Sequence, residues 1–181
     1  SGKAGVEVGT EKAWELCDKY NLPRMIYVTE MDVDDASFRQ VVEDLTARYG
    51  KVIAPHFQPI RENEKFVGYI NVITESGNRW EGKEVVPCDV PDYSRANLQI
   101  CRDTLMEAVA ETSEEFMERY FGGETFSEAE IRAALRTNVC DGSIVPMTMG
   151  SNILCQGMYT LLDDIIKYMP SPENREVAGI N

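Results

Sequence analysis

The sequence predicts an α/β chain: an incomplete, open parallel sheet flanked by helices and interrupted by an inserted α+β subdomain. Three observations predict it. Residues 25–28 (Met-Ile-Tyr-Val) and 144–149 are short continuous apolar runs, the signature of strands buried on both faces. Each run is bracketed by segments of helical periodicity, the grammar of an open parallel sheet. Between them, from about residue 53 to 138, proline-bearing and alternating segments give way to long helical patterns.

The elements follow in order. A first helix follows Thr10, with Ala13, Leu16, Cys17 and Tyr20 at i, i+3, i+4 and i+7, and Asn21-Leu22-Pro23 stops it. After the strand at 25–28, a second helix runs from about 35 to 49. Asp34 or Asp35 caps it, Phe38, Val41, Val42, Leu45 and Tyr49 form its apolar stripe, and Gly50 takes the left-handed position beyond its end. Residues 52–60 are extended, but Pro55 and Pro59 confine them to an edge or irregular strand. Residues 66–74 alternate as a strand, Ser76-Gly77-Asn78 turns, and Arg79-Trp80 begins the return. A long helix is expected from after Pro91 to about Tyr120, with Leu98, Cys101, Leu105 and Val109 inward and Gly122-Gly123 ending it. Ser127 to Glu130 spells S-x-x-E, a capping box that opens a helix through Leu135. After the strand at 144–149, Gly157 introduces a last helix with Met158, Leu161, Leu162, Ile165 and Met169 on one side, ended by Pro170-Ser171-Pro172. The expected organisation is one unit from 1–52 and 139–172, an insert at 53–138, and a loose tail at 173–181.

Composition narrows the function classes. Lys plus Arg is 18 and Asp plus Glu is 31, a net charge of −13. That balance argues against direct nucleic-acid binding, which needs a positive surface to release counterions, and against an anionic membrane. No run approaches the roughly 20 apolar residues that span a bilayer. The hydrophobic fraction of 43% and charged fraction of 27% are those of a globular chain with a core. The five cysteines are odd in number, widely spaced and without a CxxC pair, so they read as reduced thiols of a cytoplasmic protein.

Chemistry belongs in the loops beyond the carboxyl ends of the two buried strands. These are Thr29-Glu30-Met31-Asp32 and Gly150-Ser151-Asn152. An aspartate there can accept from two adjacent donors of a guanine base, its ring N1–H and its exocyclic amine, while backbone N–H groups after Gly150 serve O6. The plainer alternative for Asp32 is an ordinary loop carboxylate. The acidic group Glu30, Asp32, Asp34 and Asp35 lacks the glycine and terminal glutamate of a calcium loop and reads as solvated charge, not a metal site. His56, the single histidine, has no nucleophile placed beside it and reads as structural.

On these motifs the chain resembles translational GTPases of the elongation factor G type. That family carries Asn-Lys-x-Asp where this chain has Thr29-Glu30-Met31-Asp32, and Gly-Ser-Ala where it has Gly150-Ser151-Asn152. Gly5-Val6-Glu7, Thr10-Glu11 and Trp14 resemble the helix before the guanine motif. Pro59-Ile60 and Phe66-Val67-Gly68 resemble the start of the inserted G′ subdomain, and Glu107, Ala110-Glu111 and Tyr120 its long helix. Glu130-Ile131, Ala134-Leu135-Arg136, Val145-Pro146, Gly157, Leu161-Leu162-Asp163, Tyr168 and 170–172 continue in order.

The resemblance implies a partial P-loop-GTPase-type sheet with a G′-like insert, and a parent that binds GTP/GDP with Mg²⁺ and hydrolyses GTP on the ribosome. No GxxxxGK[ST] motif for phosphates occurs in the sequence. The expectation is therefore a fragment, the second half of a G domain plus G′, with no catalytic residues and no tightly bound nucleotide of its own. Thr29 is shorter than the family's asparagine and lacks its amide, and the carboxylate of Glu30 repels phosphates where the family's lysine attracts them.

Asp103, Glu107, Glu111, Glu114 and Glu118 recur at helical spacing and would share one face, for which the plainer reading is a solvated surface. The resemblance implies that this face docks the carboxyl-terminal domain of the ribosomal stalk protein. The alternative reading is an autonomous acidic interaction module that binds such a basic domain and no nucleotide. An uncovered sheet edge beside residues 25–28 implies self-association or a disordered N-terminal region.

Overall fold

The structure, a computed structural model, describes residues 1–82 and 84–171. Its element order is α1 (Val8–Lys19), β1 (Ile26–Val28), α2 (Phe38–Tyr49), β2 (Ile53–Pro55), β3 (Phe57–Glu62), β4 (Lys65–Asn71), β5 (Ser76–Glu81), β6 (Glu84–Cys88), a 3₁₀ turn (Asp92–Ser94), α3 (Arg95–Ala110), α4 (Glu114–Phe121), α5 (Glu128–Asn138), β7 (Val145–Met149) and α6 (Met158–Tyr168). β1, β7 and β2 form a parallel sheet in that spatial order, and β3 to β6 form an antiparallel meander. Every residue of β7 is buried, as a central strand covered on both faces requires.

The two sheets are joined without a linker. Only His56 separates β2 from β3, and it bonds to both sides. Its N–H donates to the Met147 carbonyl (3.2 Å), and its carbonyl accepts from Val72 N–H (3.0 Å). Its ring is buried, with Nε2 2.9 Å from Asp164 Oδ2 of α6 and an edge-on contact to Tyr168. The sequence boundary at 52/53 thus falls just ahead of β2, whose three residues belong to the parallel sheet.

Several elements form as their residues dictate. α2 buries Phe38, Val41, Val42 and Leu45, and α3 buries Leu98, Cys101, Leu105 and Val109. The cap of α2 is Ser37, which accepts from Gln40 N–H, rather than Asp34 or Asp35. α1 starts at Val8, ahead of Thr10, and docks through Trp14, stacked on Tyr49 with ring centroids 3.8 Å apart, and through the Glu11–Arg48 ion pair. Its expected stripe is left open, with Leu16 and Tyr20 about half exposed.

α6 likewise turns an unexpected side inward. Asp164 and Tyr168 are its buried residues, because His56 anchors them, while Leu162, Ile165 and Ile166 are exposed. The expected turn at Ser76-Gly77-Asn78 is instead part of β5. Residues 72–75 make the turn, where Asn71 Oδ1 accepts from Ile73 N–H and Thr74 N–H. Gly77 serves strand packing, since a Cβ there would lie 2.7 Å from the Cys88 carbonyl oxygen.

The single long helix is also corrected. α3 ends at Ala110, and Ser113, in extended backbone, caps a separate α4 by accepting from Phe116 N–H at 3.1 Å. Asp103 and Glu107 therefore lie on α3, Glu111 on its cap, and Glu114 and Glu118 on α4. The expected tail, 173–181, lies outside the described residues, as does Pro172. Among the described residues no helix is long and apolar enough to cross a membrane.

The capping box of α5 forms in full: Ser127 Oγ accepts from Glu130 N–H while Glu130 accepts from Ser127 N–H. Arg119 Nη1 adds an ion pair at 2.6 Å. Arg119 and the Ser127 donors hold the Glu130 carboxyl down at about 2. A lowered carboxyl stabilises the fold above the unfolded-state value and loses that contribution as pH falls through the folded value. Carbon-detected NMR should show Glu130 titrating near pH 2, and Glu130→Gln should flatten the loss of stability between about pH 4.5 and pH 2. A Glu130 titration at an ordinary carboxylate pH would contradict this.

Candidate functional site

The site lies at the carboxyl ends of β1 and β7. Their register sets Val28 opposite Met149, so the loops that follow leave the sheet side by side. Two backbone bonds join them: Gly150 N–H donates to the Val28 carbonyl (2.9 Å), and Met31 N–H donates to the Gly150 carbonyl (3.2 Å). Only glycine fits at 150, because a Cβ would lie 2.1 Å from Tyr27 Oη and 2.3 Å from the Gln156 carbonyl oxygen. Gly157, at φ +81°, closes the same loop, and a Cβ there would lie 2.5 Å from the Met149 carbonyl oxygen.

The two loops offer complementary groups. Ser151 is fully buried; its N–H donates to the Gln156 carbonyl (2.8 Å) and its Oγ accepts from Leu154 N–H (3.0 Å). Ser151 therefore builds the loop, and its amide is spent inside it. The next amide, Asn152 N–H, donates to no acceptor among the described residues, and Asn152 is exposed. Across the gap, Asp32 is half-buried, and its Oδ1 is shielded from solvent without a hydrogen-bond partner among the described residues. A shielded carboxylate oxygen without a donor is costly unless a ligand supplies one.

The first loop is held by groups that sequence reasoning missed. Arg61 of β3 donates from Nη1 to the Met31 carbonyl (2.6 Å) and from Nη2 to the carbonyls of Val33 (3.1 Å) and Glu64 (2.5 Å). Gly2 N–H donates to the Thr29 carbonyl, and Ser37 N–H donates to the Gly2 carbonyl, both at 2.8 Å. A Cβ on Gly2 would meet Met31 Sδ at 2.8 Å. A lone arginine on a strand carries no sequence signal for such a clamp, and the demand for glycine at position 2 is visible only in the packing. Met31 is fully buried and pins the loop. Glu30 sits at φ +61° and accepts from the Ser1 hydroxyl. Burial, then the nearby Cys155, pushes the Tyr27 phenol above its ordinary value, so it stays a neutral donor beside Gln156.

Of the expected residues, the structure thus brings Thr29, Glu30 and Asp32 together with Gly150, Ser151 and Asn152. Among the described residues no group of three or more His, Cys, Asp or Glu is placed to hold a metal ion. The acidic set is spread over two helices. Glu111, Glu114 and Glu118 line one shallow depression with Ser113 and Met117, and Glu111 also pairs with Lys51 at 3.7 Å. Asp103 and Glu107 lie near Tyr120, whose phenol is pushed up by burial and then by these carboxylates.

Adjacent parallel strands with these two loops at their carboxyl ends define a GTPase-type α/β domain. Residues 1–171 match the family described as the elongation factor Tu GTP binding domain. The chain is 34% identical to elongation factor G of Neorickettsia sennetsu over 99% of its own length and 27% of that protein's. A crystal structure of ttk003000868 from Thermus thermophilus superposes with a TM-score of 0.82 at 34% identity, covering 95% of this chain and 26% of that one. The chain belongs to this GTP-binding-domain family and is of the elongation factor G type. It spans about a quarter of the length of these relatives.

Gly150→Ala should lower the unfolding free energy by more than about 2 kcal/mol in urea denaturation, since the facing Gln156 carbonyl is backbone and cannot swing away. A loss within about 0.5 kcal/mol would contradict the fit.

Proposed function

We propose that this chain supplies the guanine-recognising part of an elongation factor G-like GTPase that acts on the ribosome in the cytoplasm. The observation that carries the reading is that the loops bearing Asp32 and Asn152 leave neighbouring parallel strands and are tied to each other, Met31 N–H donating to the Gly150 carbonyl at 3.2 Å. Asp32 accepts from the base N1–H and exocyclic amine, and Asn152 N–H donates to O6, a pairing no other common base satisfies. Thr29 and Glu30 flank the base without binding phosphates. Phosphate and Mg²⁺ binding, and GTP hydrolysis, belong to other parts of the intact parent, because the sequence holds no phosphate loop. The open apolar faces of α1 and α6 support a partner unit of the same G domain over them. In the chain alone these faces and the β1 edge drive self-association.

Without a phosphate loop, binding is weak and reads the base alone, so GMP is the appropriate probe and amide NMR the readout. GMP should shift the amides of Gly150 and Asn152. IMP, which lacks the exocyclic amine, should bind at least ten-fold more weakly, in line with roughly 1.5–3 kcal/mol for a hydrogen bond to a charged group. Asp32→Ala should erase the difference. Equal titrations of wild type by GMP and IMP, or shifts confined to other loops, would reject the reading.

A second reading rests on the convergence of Glu111, Glu114 and Glu118 in one depression. This face, with Asp103 and Glu107, docks the basic carboxyl-terminal domain of the ribosomal stalk protein. Reversing charge at Glu114 and Glu118 together should raise the Kd for that domain at least ten-fold at low salt and flatten its salt dependence. An unchanged Kd would dismiss the acidic face.

A further inference from the structure

The first hairpin of the insert reaches the loop that carries Asp32, and one side chain makes the connection. β3 and β4 pair regularly as far as Ile60 opposite Gly68, but the next pair is Arg61 opposite Phe66, so Val67 is an extra residue on β4. Such a bulge bends and twists a strand pair and re-aims the side chains beside it. Beyond it the chain reverses through Asn63 and Glu64, at φ +48° and +65°. Two successive left-handed residues are what a two-residue hairpin turn uses. Arg61 stands between the bulge and this turn.

Its guanidinium straddles Asp32. Nη1 donates to the carbonyl of Met31 at 2.6 Å and Nη2 to that of Val33 at 3.1 Å, the residues immediately before and after Asp32. The other Nη2 contact, to the Glu64 carbonyl at 2.5 Å, lies in the turn of Arg61's own hairpin. One planar, permanently charged group thus joins the loop to the hairpin. Asp32 itself makes no hydrogen bond among the described residues, so its neighbours set where its carboxylate stands. On one side Met31 N–H is bonded to the Gly150 carbonyl, and on the other the Val33 carbonyl also accepts from Ala36 N–H at 3.3 Å. Among the described residues Arg61 is the one side chain that bonds both sides of Asp32.

We propose that Arg61 is a positioning residue for base recognition: it holds Asp32 in place from the insert, and so couples affinity for a guanine base to the β3–β4 hairpin. The proposal rests on the guanine reading above and adds a control point outside the two candidate loops. Whatever displaces the hairpin changes base affinity, and by linkage a bound base acts back on the hairpin to the same degree. Lysine is no substitute. Its ammonium is a single nitrogen on a flexible stem and cannot meet carbonyls that two nitrogens of a rigid fork now hold.

The test follows wild type, Arg61→Lys and Arg61→Ala by NMR, with and without GMP. GMP should shift the Arg61 Nε–H of wild type. Arg61→Lys should raise the Kd for GMP by about five-fold or more, the lower bound of ordinary coupling between sites. Without nucleotide, it should speed hydrogen exchange at the Met31 amide but not at the Val145 amide, which is bonded to the Val52 carbonyl at 2.7 Å beside the parallel sheet. Guanidinium ion, kept well below denaturing concentrations, should restore GMP binding to Arg61→Ala, and ammonium should not. Mere loss of global stability would speed both amides and resist rescue. If Arg61→Ala does not fold, the wild-type shift and Arg61→Lys decide. An unmoved Arg61 Nε–H, an unchanged Kd in Arg61→Lys, exchange sped equally at both amides, or a folded Arg61→Ala without guanidinium rescue would overturn the proposal. Wild type that binds no GMP sinks the guanine reading and this proposal together. Wild type that prefers GMP to IMP, with Arg61→Lys its equal, sinks this proposal alone.

Discussion

Everything at the candidate site depends on the parallel pairing of β1 with β7 and on the glycine that ends it. Gly150 N–H reaches the Val28 carbonyl, and the Gly150 carbonyl takes the amide of Met31, so one residue ties both candidate loops. The tie requires that no side chain stand between Tyr27 and the Gln156 backbone. With it, two segments some 120 positions apart in sequence act as one rigid rim. A shift of either strand by one residue would reverse which side chains face the core and carry Asp32 away from Asn152.

The rim is reinforced from the insert. Arg61 clamps the carbonyls of Met31 and Val33 from β3, and His56 stitches the parallel sheet to the antiparallel one while holding Asp164 of α6. The insert is therefore bonded directly to the loop that carries Asp32 and to the last helix, and is not a separate appendage. Two buried polar residues, His56 and Asp164, are satisfied by each other, which is what allows them in a core.

What the sequence made legible follows from physics that is local. The buried strands, the stripe of α2, the inward face of α3 and the capping box at Ser127 are set by periodicity and short-range hydrogen bonds, and they stand where expected. The family assignment came from motifs in order along the chain. The misreadings came where tertiary contacts outvote local pattern. α6 turns Asp164 inward because His56, far away in sequence, needs a partner, and Leu162, Ile165 and Ile166 are left outside. Gly77 looked like a turn residue but is small because Cys88 lies against it. The break between α3 and α4 had a local signal that was outweighed by the acidic periodicity: Ser113 followed by two glutamates is an N-terminal cap. The adjacency of the two loops was legible from the buried strands, whereas Ser151's structural role and the Arg61 clamp were not, since both depend on backbone groups brought close only by folding.

The central claim is that Asp32 and Asn152 grip a guanine base edge-on. Its most direct measurement is the N1 imino proton of ¹⁵N-labelled GMP, which exchanges too fast with water to be seen in free nucleotide. Added to the chain, it should emerge as a protected downfield resonance with a through-space contact to the Asn152 amide, and it should vanish with Asp32→Ala. A bound nucleotide whose imino proton stays in fast exchange, or contacts other residues, would contradict the account.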